Sequence, residues 1–261
     1  MFAGHEANAN TLNFIFLLLA CHPRIQASVQ ADIDLILGFL PPSQWSYETH
    51  YPFLSTSHVG AVINETSRLF TVLPFIPKSV PATPQILTLE NRTHIIPAKT
   101  LILINTSAIH RHVKVWPQSS YEAPLTAVNA PHPVASFNPG YWLRPAAVVV
   151  EEKASKDFLR PRPGTFMPFS DGSRGCLGKR FALVELVAVV ARIFSEYSVE
   201  LAVECSEDAS EQEQRDKWGK AREKAEYEMS AGVAFKLSLR MTGNVPVRFV
   251  KRNKPKPTWV S

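Results

Sequence analysis

The stretch "FMPFSDGSRGCLGKRFA", residues 166–182, sets Cys176 among Gly172, Gly175 and Gly178, with Arg174 two positions before it and Lys179 and Arg180 just after. The residues that follow predict a helix over 178–196, with Phe181, Val184, Val187, Ala188, Ala191 and Phe194 sharing one face. Cys176 therefore stands at the head of a helix, where amide N–H groups have no intrahelical partner and the dipole is positive. Both features favour thiolate over thiol. The glycines allow tight turns and let backbone N–H groups reach the sulfur. Arg174 offers a planar, charged fork for a carboxylate. A stabilised thiolate beside such an arginine points to a soft metal carried in an anionic ligand.

Other readings compete for these residues. A phosphate loop needs GxxxxGK followed by Ser or Thr. Here Ser173 stands five positions before Gly178 and Arg180 follows Lys179, so the pattern fails twice. A nucleophilic cysteine needs a histidine base, and none of the eight histidines lies in a recognisable partner motif. A glycine turn with a purely structural role stays open on these residues alone.

The stretch also matches FxxGxRxCxG in full, through Phe169, Gly172, Arg174, Cys176 and Gly178, with Phe181 and Ala182 extending it. In this it resembles the haem-binding signature of the cytochrome P450 family. The resemblance implies that the Cys176 thiolate is the axial ligand of the iron of haem b, where its electron push favours O–O cleavage. It implies that Arg174 pairs with a haem propionate and that Phe169 packs near the sulfur, with Gly172 and Gly178 in the same cofactor-binding set.

Three upstream segments extend the resemblance. Glu65 and Arg68 form ExxR, a spacing that lets them pair on one helix face. With the following "LFTVLPFIPKSV" (69–80) they resemble the family's structural brace, and Lys78 falls where members place a basic residue toward a propionate. "FNPGYWL" (137–143) corresponds to the family's PxRW-like segment, but Tyr141 stands where arginine is expected. A tyrosine hydroxyl could hydrogen-bond to Glu65 there without supplying charge. "FAGHEANANTL" (2–12) resembles the central oxygen-side helix, written AGxET or AGxDT. Gly4 leaves room for cofactor, and Glu6 matches the acid. Ala7 replaces the usual threonine and Asn8 follows it, so Glu6 and Asn8 are the candidate catalytic residues for proton delivery.

The resemblance covers the C-terminal half of the family's domain. It implies a mainly α fold with small β-sheets, running from the central oxygen-side helix to the C-terminus as one partial haem-binding domain (1–261). A piece of a longer protein is expected. The implied function is a haem-thiolate monooxygenase that inserts one oxygen atom of O2 into a small apolar organic substrate. Electrons would come from NADPH through a cytochrome reductase. Full-length members are usually anchored in the endoplasmic reticulum membrane. A non-catalytic remnant and a haem-thiolate isomerase or dehydratase that does not use O2 are the alternatives.

Composition agrees with a globular chain: 261 residues, 45% hydrophobic, 20% charged, net charge +5. Three cysteines without close spacing exclude a disulfide framework or a zinc motif, and Cys21 and Cys205 read as packing residues. "FIFLLLAC" (14–21) is too short to span a bilayer. It reads as the buried end of a helix over 2–20 that Pro23 ends or bends. Further helices are expected at 24–38 and 58–70, the latter with Val59, Val62, Ile63, Thr66 and Leu69 inward. Residues 72–84 carry four prolines and must be extended, and 86–111 read as short strands around a turn. Residues 114–145 read as loop. Residues 204–230 form a charged insertion, with nine acidic and five basic residues in 204–228. "VAFKLSLRM" (233–241) reads as one half-buried strand, turned by "TGN" into a partner strand "VPVRFV". The basic tail "KRNKPKP" reads as a solvated terminus, with no nucleic-acid partner.

Overall fold

α1 (Phe2–Cys21) and α2 (Pro23–Leu37) are one apolar stretch broken at a proline. Pro23 has no N–H to continue α1 but fits the first turn of α2, and the two helices meet at 111°. The computed structural model describes residues 2–116, 136–143, 158–204, 210–236 and 238–252. Within these it is mainly helical with four small antiparallel sheets.

α1 has no polar face toward its C-terminal end, so burial holds it rather than capping. Phe14, Ile15 and Leu19 are fully buried, each such side chain worth about 1.5–3 kcal/mol. α3 (Tyr51–Ser55) and α4 (His58–Leu69) complete the first helical layer. α4 buries Val59, Val62, Ile63, Thr66 and Leu69 as the spacing predicts. Its N-terminus is capped by Ser57 Oγ, which accepts from Val59 N–H, and by Asp32 of α2, which accepts from His58 N–H at 2.8 Å.

β1 (Phe75–Ser79) lies in the proline-rich extended segment and pairs only with β4 (Leu101–Asn105), an edge position that tolerates Pro77. Between them, β2 (Gln85–Leu89) and β3 (Arg92–Ile96) form a hairpin. Its two turn residues, Glu90 and Asn91, both have positive φ, as a type I′ turn requires. The strand reading stops at Asn105. Asn105 caps a single helical turn, α5 (Thr106–His110), by accepting from Ala108 N–H.

α6 (Lys179–Glu196) forms where expected, but its inward stripe is rotated. Leu186, Val187, Val190, Ala191 and Phe194 are buried, while Ala188 is exposed and Phe181 is 74% exposed. Phe181 sits in the first turn beside the outward-facing cysteine loop, so nothing described covers it.

β5 (Tyr197–Leu201) follows, then the charged insertion, which is mostly α7 (Glu211–Ser230). α7 exposes its charged face and seats Ala225 and Met229 in the core. The segment 233–241 is not one strand. β6 (Val233–Phe235) turns back onto β7 (Leu239–Met241), with Val233 opposite Met241 and Phe235 opposite Leu239. Leu237 lies outside the described residues. Directly paired residues share a face, so a hairpin closed through three residues keeps the period of two that a long strand would show. "VPVRFV" accordingly pairs elsewhere: β8 (Val247–Lys251) runs antiparallel to β5. Gln26 of α2 joins β5 to α1, donating to Leu19 O and Val199 O and accepting from Val199 N–H.

No single helix among the described residues is long and apolar enough to cross a membrane. Cys21 is buried, which pushes its thiol up to about 12. Cys205, most of the 114–145 loop and the tail beyond Arg252 lie outside the described residues.

Gly60 of α4 lies against α3. A Cβ there would come 1.9 Å from the carbonyl oxygen of Ser55. Gly60→Ala is expected to destabilise by about 3 kcal/mol, read as a lower urea midpoint. An unchanged midpoint would contradict this packing.

Candidate functional site

The site is built around a buried ion pair. Arg68 Nε donates to Glu65 Oε2 and Arg68 Nη2 to Glu65 Oε1, both at 2.8 Å, with neither side chain exposed. Each carboxylate oxygen takes a second donor. Asn138 N–H reaches Oε1 and Trp142 Nε1–H reaches Oε2, both at 3.0 Å. Arg68 Nη1 donates to the carbonyl of His110 at 2.8 Å. Its guanidinium lies 5.2 Å from the ring of Trp116 and 5.9 Å from that of Tyr141. Tyr141 therefore serves through its ring face; its hydroxyl makes no hydrogen bond to Glu65.

The signature residues come together in a tight loop. Ser170 and Gly172 have positive φ. Asp171 accepts from Gly172 N–H, and a single 3-10 turn runs through Gly172–Arg174. Cys176 N–H donates to the carbonyl of Phe169 at 2.9 Å, which closes the loop. Gly178 then begins α6 as its N-cap. Phe169 is half-buried, with Lys179 Nζ 6.0 Å over its ring. Cys176, Arg174, Gly172 and Gly178 are exposed. Beside Cys176 lies a shallow groove of about 380 Å³ lined by Tyr47, Tyr51, Leu177, Lys179, Arg180 and Leu183. Lys78 is half-buried on β1, opposite Ile102. Neither Arg174 nor Lys78 has an ion-pair partner among the described residues.

On α1, Gly4 is exposed with open space where a side chain would be. Glu6 Oε1 accepts from Ser238 Oγ at 2.9 Å, and Ser238 Oγ accepts from Asn10 Nδ2 at 2.9 Å. Asn8 is buried and donates to Glu185 of α6. The structure thus ties Glu6 to the β6–β7 hairpin and Asn8 to the helix that follows Cys176.

Sequence reasoning missed His110. It is fully buried, and its Nε2 accepts from Met167 N–H at 2.8 Å. Nε2 being the acceptor, the proton resides on Nδ1, which has no partner among the described residues. Burial, then the charge of Arg68, pushes the imidazole down to about 4. Phe166 packs on it with ring centroids 5.3 Å apart and in turn meets Trp142 at 4.7 Å. The only signal was the aromatic and histidine content of "IHRHVKVW", which carries no motif by itself.

The family model that matches this chain describes cytochrome P450 and aligns with residues 1–229. A cytochrome P450 monooxygenase of Arthrobotrys oligospora is 29% identical over 79% of the chain and 35% of its own length. Cytochrome P450 3A13 of Mus musculus is 28% identical over 77% of the chain and 33% of its own length. Cytochrome P450 4c3 of Drosophila melanogaster is 28% identical over 80% and 32%. The chain spans about a third of the length of the curated relatives it matches.

Glu65→Gln leaves the Arg68 charge buried without its partner and is expected to destabilise by about 3–5 kcal/mol. Trp142→Phe removes one of four donors and should lose about 1–2 kcal/mol. Equal, small losses in urea unfolding would contradict the geometry. His110 gives a pH signature. Its folded-state value of about 4 lies below the ordinary 6.5, so the unfolded chain takes up the proton first. The stabilisation is complete above pH 6.5 and is lost as pH falls through about 4, on the order of 3 kcal/mol. The urea midpoint of His110→Gln should fall less than that of the parent between pH 7 and pH 4; parallel falls would contradict it.

Proposed function

Because the chain belongs to the cytochrome P450 family, we propose that it forms the thiolate side of a haem site in a monooxygenase. One oxygen atom of O2 would enter a small apolar organic substrate. The other would leave as water, with two electrons from NADPH delivered through a separate reductase and two protons taken up at the site.

The observation that carries this reading is the Cys176 loop. One thiol is presented outward at the head of α6, in a backbone closed by its own hydrogen bonds. A single protein donor is too few for a bare metal ion, and no group of three or more metal-ligating side chains occurs among the described residues. One thiolate is enough for an iron whose other ligands come from a macrocycle. Haem b, when bound, supplies the iron at which O2 is activated. Arg174 and Lys78, cations without protein counter-ions among the described residues, suit its two propionates. Phe169 would shield the sulfur from the loop side, and Gly172 and Gly178 would let the loop turn without side chains in the way. Gly4 keeps α1 slim where the cofactor would approach.

Glu6 would hold the proton to be delivered. Residue 7 is alanine, yet an alcohol does stand on the acid, because Ser238 Oγ–H points at Glu6 Oε1. Asn8 holds α1 to α6 through Glu185 and is the candidate to orient a water with its carbonyl end. The remnant reading has one observation in its favour: Leu177 and Phe181, at 103% and 74%, and Leu101 and Leu103 are exposed apolar side chains.

Absorbance spectroscopy of the chain expressed with a haem supply tests the two. The reading predicts haem uptake and a thiolate-type ferrous–carbonyl band that Cys176→Ser abolishes. No haem uptake, or a thiolate-type band surviving in Cys176→Ser, would overturn it.

A further inference from the structure

No hydrogen bond among the described residues joins the Glu65–Arg68 pair directly to the cysteine loop, and the residue standing between them is His110. We propose that His110 is the positioning residue of that loop, its Nε2 acting as a fixed acceptor that sets where the segment leading to Cys176 begins. This rests on the reading of Cys176 as the haem ligand.

His110 is held at both ends. Its carbonyl accepts from Arg68 Nη1 at 2.8 Å, and its ring lies 5.3 Å from that of Phe166. Its Nε2 takes the amide of Met167 at 2.8 Å. From Met167 the loop is closed by short backbone contacts: Ser170 N–H to Met167 O at 3.1 Å, then Cys176 N–H to Phe169 O at 2.9 Å. The run from the buried ion pair to the thiol is therefore Arg68, His110, Met167, Phe169, Cys176.

The unpartnered Nδ1 argues that the contact matters. A side chain that merely filled this space would be apolar. An imidazole here leaves a buried N–H without an acceptor among the described residues, which native structures rarely tolerate without a reason. The arrangement makes sense if the Nε2 lone pair is what the site requires. The charged groups facing the ring are both cations, Arg68 from α4 and the adjoining Arg111. Burial first, and these cations with it, keep the imidazole neutral and its Nε2 an acceptor.

Amide hydrogen exchange on the 261-residue chain without haem tests this, with His110→Phe filling the space but offering no acceptor and His110→Gln offering an amide oxygen. Exchange at Met167 and Cys176 should rise roughly tenfold in His110→Phe and return toward the parent in His110→Gln, with α4 unaffected. In haem-loaded samples, His110→Phe should shift the ferrous–carbonyl spectrum from thiolate toward thiol ligation at constant haem content. Unchanged exchange at Met167, or an equal rise throughout α4 and α5, would overturn the proposal. If the exchange pattern is as expected but no variant takes up haem, the positioning of the loop stands and the haem reading fails.

Discussion

Two opposite charges with no exposure to water hold this structure together. Removing either partner from a buried pair is far more damaging than its absence from the start, because the other charge is left without solvent or counter-ion. The Glu65 carboxylate takes four donors, and the Arg68 guanidinium has a carbonyl and two aromatic rings around it besides that carboxylate. Beyond α4 itself, those partners are His110 at the end of α5, Trp116 after it, and Asn138, Tyr141 and Trp142 of the 137–143 turn. The pair thereby fixes α5, the 137–143 turn and, through His110, the approach to the cysteine loop. With tyrosine at position 141, the carboxylate positions beyond Arg68 are taken by Asn138 N–H and Trp142 Nε1–H, and Tyr141 contributes its ring face to Arg68.

Much of this was legible in the residues. A continuous apolar run marked α1, period-3.6 burial marked α2 and α4, Pro23 marked the break, and FxxGxRxCxG pointed to the family that the match over residues 1–229 shows. What escaped was whatever depends on pairing at a distance. Alternation in 233–241 is the same for a long strand and for two hairpin arms, so only the partner of β8 could decide it. The inward face of α6 turned because its first turn serves the cysteine loop instead of the core, leaving Phe181 outside. His110 could not be read at all. A buried histidine that accepts one backbone N–H has no sequence signature, since its role is set by Arg68 at 42 residues' separation and by Met167 at 57.

The two sides of the candidate site are coupled by side chains that propensity does not predict. Asn8 links α1 to Glu185 on α6, and Glu6 is tied through Ser238 to the β6–β7 hairpin. The helix that carries Glu6 is thus referenced to the helix that follows Cys176. The cysteine loop itself is closed by its own backbone hydrogen bonds and open on its outer face, as suits a ligand for a large planar group.

The central claim is that Cys176 is the protein's one ligand to a haem iron. Iron-edge X-ray absorption on the haem-loaded chain tests it most directly. The account predicts a single sulfur neighbour on the iron, absent in Cys176→Ser; only nitrogen or oxygen neighbours in the parent chain would contradict it.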